Sequence, residues 1–198
     1  IERLTTEFPS GRHGIFRYWD LKDPSDHDVR LIPENIDVKL DGSDVPFDLL
    51  WERGRRFRVA KVGDPNSYVS PGTHEDVITY RIKGALAPAS VGQGTFASSS
   101  WTDEQPAASA FYWNVVAPGW GMAIDQATIT INLPTSSGKV HCTSSFDGSG
   151  PCEISGGGTK QVTVTASSLP PRTPVTVRVG LAIPTSDRHS VPWSIAWD

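Results

Sequence analysis

The 198-residue sequence lacks two features that would assign it to common classes of protein. It has no run of the roughly 18–20 apolar residues that a transmembrane helix requires. It also has no excess of positive charge, because 18 Lys and Arg residues stand against 22 Asp and Glu residues, for a net charge of −4. General nucleic-acid binding needs a basic surface, so this charge argues against that function. The chain begins with Ile1 rather than Met, so we expect it to be a piece of a longer protein.

The motifs of well-known catalytic and metal sites are also missing. There is no GxSxG motif, no Walker loop, no GxGxxG after a predicted strand and no HExxH. The acidic stretch DLKDPSDHDVR brings Asp23, Asp26, His27 and Asp28 together, but it lacks the regular spacing of a calcium loop. Asp and Pro are common turn residues. The sequence therefore favours a turn over a divalent-ion site near Asp26, and it predicts no catalytic residue, no metal ligand and no cofactor.

Cysteine is scarce, with only Cys142 and Cys152 in VHCTSSFDGSGPCEI. The intervening FDGSGP favours a turn that would bring the two sulfurs together. A close pair of this kind is typical of a disulfide in an oxidising compartment and would contribute roughly 2.5–3 kcal/mol to stability. Two free buried thiols are the alternative, whereas a zinc site would need two further ligands. We predict the disulfide.

Alternation of apolar and polar residues dominates the sequence, and helical periodicity is nearly absent. In VTVRVGLAI, for example, Val175, Val177, Val179 and Leu181 share one face. Such alternation gives each sheet one wet and one dry face, so two sheets must pack with their dry faces together. The sequence predicts an all-β, antiparallel sandwich of immunoglobulin-like or jelly-roll-like type. Within it, NIDVKL and VPFDLLWER are predicted to form a hairpin through DGSD.

The domain organisation follows from composition along the chain. We predict that residues 1–184 form the β-sandwich domain, either as one unit or as two fused subdomains. A break would fall within residues 85–109, a small, polar stretch containing Pro and Gly that is predicted to be a long exposed loop. Residues 185–198 have no strand of ordinary length and are predicted to be a linker or tail. In that segment Trp193 and Trp197 would dock on the body or mark a contact.

The aromatic stretch AFYWNVVAPGWG is the first candidate binding surface. Alternation sends Phe111 and Trp113 to one face of a strand and Tyr112 and Asn114 to the other. A strand buried on one face would show this pattern without any ligand, and Trp120 would then plug the end of a sandwich. Flat aromatic side chains at a strand edge also stack on sugar rings. Packing is the favoured interpretation, and Tyr112, Asn114 and Trp120 are the candidate binding residues.

The arginine-rich stretch ERGRRFR is the second candidate. It places Arg53, Arg55, Arg56 and Arg58 around Gly54. Guanidinium groups match phosphate oxygens, so the stretch could hold an anionic polymer or lipid head groups. The alternative, which the sequence favours, is a hairpin turn with exposed arginines that protect an edge strand from association. Arg55 and Arg56 are retained as candidate binding residues.

Three blocks of the sequence together resemble a known family. They are GRHGIFRYW, YVSPGTHEDVITYRI and FYWNVVAPGWGMAIDQATITINLP, and they occur in this order between about Arg12 and Pro184. The chain is similar to a bacterial family of predicted membrane proteins built around domain of unknown function 2207. The resemblance implies an extracytoplasmic N-terminal β domain that is followed in full-length members by transmembrane helices. It implies no catalytic residues and no cofactor.

These observations lead to an expected function. We expect a non-catalytic module that is anchored to the membrane, lies on the extracytoplasmic side and binds a protein or a cell-envelope polymer rather than nucleic acid. One alternative is a carbohydrate-active hydrolytic domain that uses carboxylates near Trp120. Another is a structural spacer.

Overall fold

The structure is a computed structural model that describes residues 1–23, 26, 28–100, 106–188 and 190. These ranges contain fifteen strands and no helix, and all the strand pairs between them are antiparallel. The strands are β1 (Glu2–Phe8), β2 (Phe16–Asp20), β3 (Pro33–Leu40), β4 (Ser43–Asp44), β5 (Phe47–Glu52), β6 (Phe57–Val62), β7 (Gly72–Ile82), β8 (Leu86–Pro88), β9 (Ser98–Ser99), β10 (Ser109–Val116), β11 (Ile124–Asn132), β12 (Val140–Thr143), β13 (Glu153–Ser155), β14 (Gln161–Leu169) and β15 (Val175–Leu181). The predicted all-β, antiparallel fold is confirmed. No helix in the described ranges is suited to crossing a membrane.

The chain divides into two compact units, with the division between Lys83 and Gly84. Unit 1 contains Ile1–Lys83 together with Arg188 and Ser190, and unit 2 is Gly84–Asp187. The division lies immediately before the stretch 85–109, in which the sequence predicts a break. The limits 1–184 and 185–198 stay predictions, since Trp193 and Trp197 of the predicted tail lie outside the described residues.

Unit 1 consists of two sheets with strand orders β1-β7-β3-β4 and β2-β6-β5. An ion pair joins them, because Arg17 on β2 donates to Glu2 on β1 at 2.6 Å. Next to this pair the Trp19 ring of β2 meets the Tyr80 ring of β7 edge-on, with 5.3 Å between ring centroids. The two sheets therefore face each other across a mixed polar and aromatic interior, as expected for a sandwich.

The predicted pairing of NIDVKL with VPFDLLWER is wrong. Asp41 and Gly42 both have positive φ and turn the chain after β3, but the returning strand β4 is only two residues long. Strand β5 instead pairs with β6 in the other sheet, from Phe47 opposite Val62 to Glu52 opposite Phe57. Pro46 separates β4 from β5 and has no N–H to donate to a ladder, so the chain leaves the first sheet there.

Unit 2 consists of a five-stranded sheet with the order β8-β10-β15-β12-β9 and a three-stranded sheet with the order β11-β14-β13. Val177 and Val179 on β15 pack in one core with Val162 and Val164 on β14, and all four are fully buried. This central strand is buried on both faces along its whole length, although alternation predicts one wet face. The covered polar face of this sheet forms the site described below.

Parts of the stretch predicted to be one long exposed loop, residues 85–109, form strands in the five-stranded sheet of unit 2. Leu86–Pro88 forms β8 and pairs with β10, and Ser98–Ser99 forms β9 and pairs with β12. The prediction of a long exposed loop is therefore wrong for these residues. Short strands with small side chains lack the apolar alternation on which the prediction relied.

The predicted disulfide between Cys142 and Cys152 is present, with 6.3 Å between the two Cα atoms. Cys142 lies on β12 of the five-stranded sheet, and Cys152 directly precedes β13 of the three-stranded sheet. The disulfide therefore links the two sheets of unit 2 and closes the loop of residues 143–151.

Candidate functional site

The candidate site lies on the polar face of the five-stranded sheet of unit 2. Tyr112 on β10 is opposite Arg178 on β15, which in turn is opposite His141 on β12. Directly opposed residues in antiparallel strands project to the same side, so these side chains form a row across three strands. The neighbouring row, two residues along each strand, contains Asn114, Thr176 and Thr143.

Residues 89–96, which we call the covering segment, lie over this face and are held there by Arg178. The buried guanidinium donates from Nη2 to the carbonyl oxygen of Ala89 at 2.6 Å and from Nε to that of Val91 at 2.9 Å. Hydrogen bonds from a charged donor are stronger than neutral ones, so one side chain secures the start of the segment.

Two ring contacts hold the rest of the covering segment. Gly92 has φ +66° and lies so close to the Tyr112 ring that a Cβ atom at this position would overlap it. Phe96 lies over the His141 ring with 5.2 Å between centroids. Glycine is therefore required at position 92 both for its backbone conformation and for the close approach.

The loop of residues 143–151 forms the opposite wall. Asp147 Oδ1 accepts hydrogen bonds from Ser145 Oγ at 2.6 Å, from Ser149 Oγ at 2.7 Å and from the Ser149 N–H at 3.0 Å. These bonds, first that from Ser145, lower the pKa of Asp147 to about 2, so the carboxylate is ionised at neutral pH. Phe146 next to it has 77% of its surface exposed, which is unusual for a phenyl ring.

Between the covering segment and this loop lies an open pocket of about 380 Å³. Among the residues that the structure describes, its lining combines aromatic rings, neutral polar side chains and a single carboxylate. The aromatic rings are Phe96, Tyr112 and Phe146, the neutral polar side chains are Gln93, Thr95, Asn114, Thr143, Ser145 and Thr176, and the carboxylate is Asp147. A smaller pocket of about 200 Å³ also borders the covering segment and reaches His141 and Arg178. The volume of the larger pocket is within the range of small-molecule sites.

Two of the five candidate binding residues line the larger pocket. Tyr112 and Asn114 both line the larger pocket, and Asn114 Oδ1 accepts a hydrogen bond from Thr176 at 2.7 Å. Trp120 is half-buried and packs against the hydrophobic core of unit 2, away from the pocket lining. Arg55 and Arg56 belong to unit 1, on the turn between β5 and β6.

The relationship of this chain to known proteins is shown by one comparison. The family model described as the N-terminal domain of predicted membrane proteins (DUF2207) matches residues 1–181. The chain belongs to this family. No curated protein and no solved structure shows significant similarity to the chain. The match confirms the resemblance seen in the sequence and associates the DUF2207 domain with membrane proteins, but it names no ligand and no reaction.

On β10 of the DUF2207 domain, the two faces of one strand have different surroundings. Phe111 and Trp113 stack on each other with 6.4 Å between centroids and 14° between ring planes, and Phe111 packs against the core. Tyr112 faces the pocket on the other side. The predicted alternation along β10 is confirmed, and the same aromatic stretch serves both the core and the pocket wall.

Sequence reasoning missed the residues that form the pocket walls. Gly92 and Phe96 lie in the stretch that was predicted to be an exposed loop, and Phe146 and Asp147 lie in a stretch interpreted only as the turn of a disulfide loop. The available signal was the phenylalanine beside Asp147 in SSFDGSG, because a turn needs the Asp and Gly but not the Phe.

The acidic stretch near Asp26 is organised as a turn in the described residues. The backbone N–H of Asp26 donates to Asp23 Oδ1 at 3.1 Å, and that of Asp28 donates to Asp26 Oδ1 at 3.0 Å. Asp23 also forms an ion pair with Arg188. No group of three His, Cys, Asp or Glu residues that could hold a metal ion occurs among the residues that the structure describes. His27 lies outside them.

Unit 1 of the DUF2207 domain contains a buried carboxylate. Asp76 on β7 is 1% exposed, and its Oδ2 atom has no hydrogen-bond partner among the described residues. Burial, and then the charge of Asp41, raise the pKa of Asp76 to about 6. His74 Nδ1 lies 2.6 Å from Asp41 Oδ2, and this contact raises the pKa of His74.

Proposed function

We propose that the DUF2207 domain is a non-catalytic, extracytoplasmic binding module and that the larger pocket of unit 2 binds a glycan of the cell envelope. The observation that carries this proposal is the composition of the pocket: three aromatic rings beside neutral amide and hydroxyl groups. A sugar ring presents apolar C–H faces together with hydroxyl groups, so it needs flat apolar surfaces and neutral hydrogen-bonding groups in the same place.

The exposure of Phe146 supports a ligand that stacks on it. A phenyl ring that is 77% exposed stabilises the fold little, since its apolar surface stays in water. Asp147 beside it is held by Ser145 and Ser149 through Oδ1, and no described residue donates a hydrogen bond to its other oxygen, Oδ2, which can therefore accept hydrogen bonds from a hydroxyl-rich ligand.

The carboxylate content of the pocket supports binding rather than hydrolysis. Glycoside hydrolysis commonly uses two carboxyl groups, one of which must be protonated to act as the acid. Among the described lining residues Asp147 is the single carboxylate, and its pKa of about 2 keeps it ionised. The proposed module therefore binds its ligand without cleaving it.

Two observations support the proposed location outside the cytoplasm. The disulfide between Cys142 and Cys152 is typical of proteins in oxidising compartments. The family is one of predicted membrane proteins, which supports anchoring of the domain through segments of the longer protein.

An array of bacterial cell-wall polysaccharides and peptidoglycan fragments, followed by calorimetric titration of each hit, tests the proposal. We expect Phe146→Ala to lower the affinity about tenfold, the amount expected when part of the roughly 1.5–3 kcal/mol from burying a Phe side chain is lost. Met122→Ala is the matched control, because Met122 is also in unit 2 and is 49% exposed but does not line the pocket. The Met122→Ala variant should bind with the same affinity as the unchanged chain.

Three results would contradict the proposal. Equal affinities of the Phe146 and Met122 variants would move the binding site away from the pocket. Capture of a defined protein partner without any glycan binding would replace the glycan with a protein ligand. No binding of any kind would favour the structural spacer.

A further inference from the structure

The β5–β6 hairpin of unit 1 concentrates positive charge on an acidic chain. Its tip reads WERGRRFR from Trp51 to Arg58, with four arginines and one glutamate, whereas the whole chain has a net charge of −4. The turn spans Arg53 to Arg56. Its first three residues, Arg53, Gly54 and Arg55, all have positive φ. The concentration of charge at this one place requires an explanation.

The arginines are ordered on aromatic rings. Arg58 lies directly opposite Trp51 in the strand register, and its Cζ atom is 4.4 Å from the centre of the indole. The Cζ atom of Arg55 lies 5.9 Å from the same ring. Arg53 and Arg56 are placed over Phe57 at 5.9 and 5.2 Å. Contact with rings limits the motion of the guanidinium groups without neutralising their charge.

Among the residues that the structure describes, only one of these arginines has a carboxylate partner. Arg56 donates from Nη2 to Asp20 at 2.7 Å. Arg53, Arg55 and Arg58 form no ion pair with any residue that the structure describes. Three ordered guanidinium groups therefore remain available to an external anion.

Protection of a sheet edge does not account for the arrangement. Strand β5 is at the edge of its sheet. Charged side chains that prevent another strand from pairing with this edge would have to lie on β5 itself. Close to the turn, however, β5 exposes Leu50 at 40% and Trp51 at 46%. Arg58 is on the central strand β6, and the other arginines are in the turn. The charged residues of β5 itself are the carboxylates Asp48 and Glu52, so the arginines are not the groups that protect this edge.

We propose that the tip of the β5–β6 hairpin docks on the surface of a membrane that contains anionic lipids. Arg53, Arg55 and Arg58 contact lipid phosphates, and the Trp51 indole lies at the level of the head groups, where Trp is enriched in membrane-bound proteins. A soluble polyphosphate would use the arginines but would gain nothing from the exposed Trp51 indole, which lies on the same face of the hairpin as Arg58, so the lipid surface is favoured. The proposal concerns unit 1 and is independent of the glycan pocket in unit 2.

Co-sedimentation of the 198-residue chain with vesicles tests the proposal. One set of vesicles contains phosphatidylcholine alone, and the other contains one part phosphatidylglycerol to two parts phosphatidylcholine. We expect binding only to the second set and loss of binding at high salt. The triple variant Arg53→Gln, Arg55→Gln, Arg58→Gln should bind roughly 100-fold more weakly, since each basic residue near an anionic surface contributes about a factor of five.

A second triple variant removes the same charge from another part of unit 1. Arg3→Gln, Arg12→Gln and Arg81→Gln replace three other exposed arginines and should lower the affinity only slightly. Circular dichroism would confirm that both variants are folded. In addition, brominated lipids should quench the fluorescence of the unchanged chain measurably more than that of Trp51→Phe.

Several outcomes would overturn the proposal. Absence of binding to the anionic vesicles is one, and equal weakening by the two triple variants is another. Equal binding to both sets of vesicles would show that attraction between the arginines and anionic lipids does not contribute to binding. Binding to soluble polyphosphate but not to vesicles would assign the arginines to a polymer instead of a membrane.

Discussion

Replacement of the buried Asp76 by Asn should stabilise unit 1 at neutral pH. Asp76 lies on β7 opposite Leu4 of β1 and Leu40 of β3, and it is almost completely shielded from water. The pKa of Asp76 is about 6, compared with an ordinary value of 3.8. The carboxyl group of Asp76 therefore loses its proton at a lower pH in the unfolded chain than in the folded chain. Above the folded-state pKa the buried carboxylate is charged in both states, and its charge opposes folding.

The sign and the size of the effect follow from these two pKa values. Below a pH of about 4 the carboxyl group is protonated in both states and does not oppose folding. The contribution of Asp76 to stability then falls as the pH rises towards 6 and is constant at higher pH. A difference of about two pH units corresponds to at most about 3 kcal/mol. Part of the shift comes from repulsion between Asp76 and Asp41, and water screens this repulsion because Asp41 is 52% exposed. We therefore expect the charged Asp76 to lower the free energy of unfolding by about 1–2 kcal/mol.

Urea unfolding at several pH values between about 4 and 7.5 measures this contribution. Asp76→Asn keeps the shape of the side chain and should be more stable than the unchanged chain near pH 7.5, with a difference that vanishes towards pH 4. The raised pKa of His74 also causes stability to fall with rising pH, but His74 is present in both proteins, so it largely cancels in the difference. Asp48→Asn on β5 controls for removal of one exposed negative charge. A difference between the Asp76 variant and the unchanged chain that does not vary with pH would refute the reasoning.

Two further changes test the contacts that join the sheets of each unit. Cys142→Ala with Cys152→Ala should lower the free energy of unfolding of unit 2 by about 2.7 kcal/mol, the loop-closure entropy for a sequence separation of 10, and an unchanged urea midpoint would contradict this. Arg17→Met should destabilise unit 1 by about 3–5 kcal/mol, because Glu2 is then left without its cation, and the double variant with Glu2→Gln should recover part of this loss. If adding Glu2→Gln recovers no stability, the destabilisation by Arg17→Met comes from lost packing rather than from the unpaired charge of Glu2.

The division of roles on β10 could be predicted because a strand has a period of two. Phe111 and Tyr112 must project to opposite sides in any sheet, so one faces the core if the other faces out. The same reasoning predicts the buried valines of β15. The disulfide was predictable for a related reason, since a short turn-forming segment can bring two ends together without help from the rest of the fold.

The pocket, by contrast, depends on contacts between distant segments. Tyr112, Phe96 and Phe146 come from a strand, the covering segment and the disulfide loop, and nothing local in the sequence relates their positions. Sequence reasoning therefore found Tyr112 and Asn114, which share a strand face, but it could not predict that Gly92 would lie directly on the Tyr112 ring.

The sequence by itself determined that this chain forms antiparallel strands, which face of most strands is apolar, and that its two cysteines pair. Those properties depend on residues close together in the chain. Only the tertiary structure decided that β5 pairs with β6, that residues 89–96 cover the polar face of unit 2, and that Asp76 is buried. Alternation sets the direction in which a side chain points, but the partner of a strand and the segment that covers a sheet are selected by long-range packing.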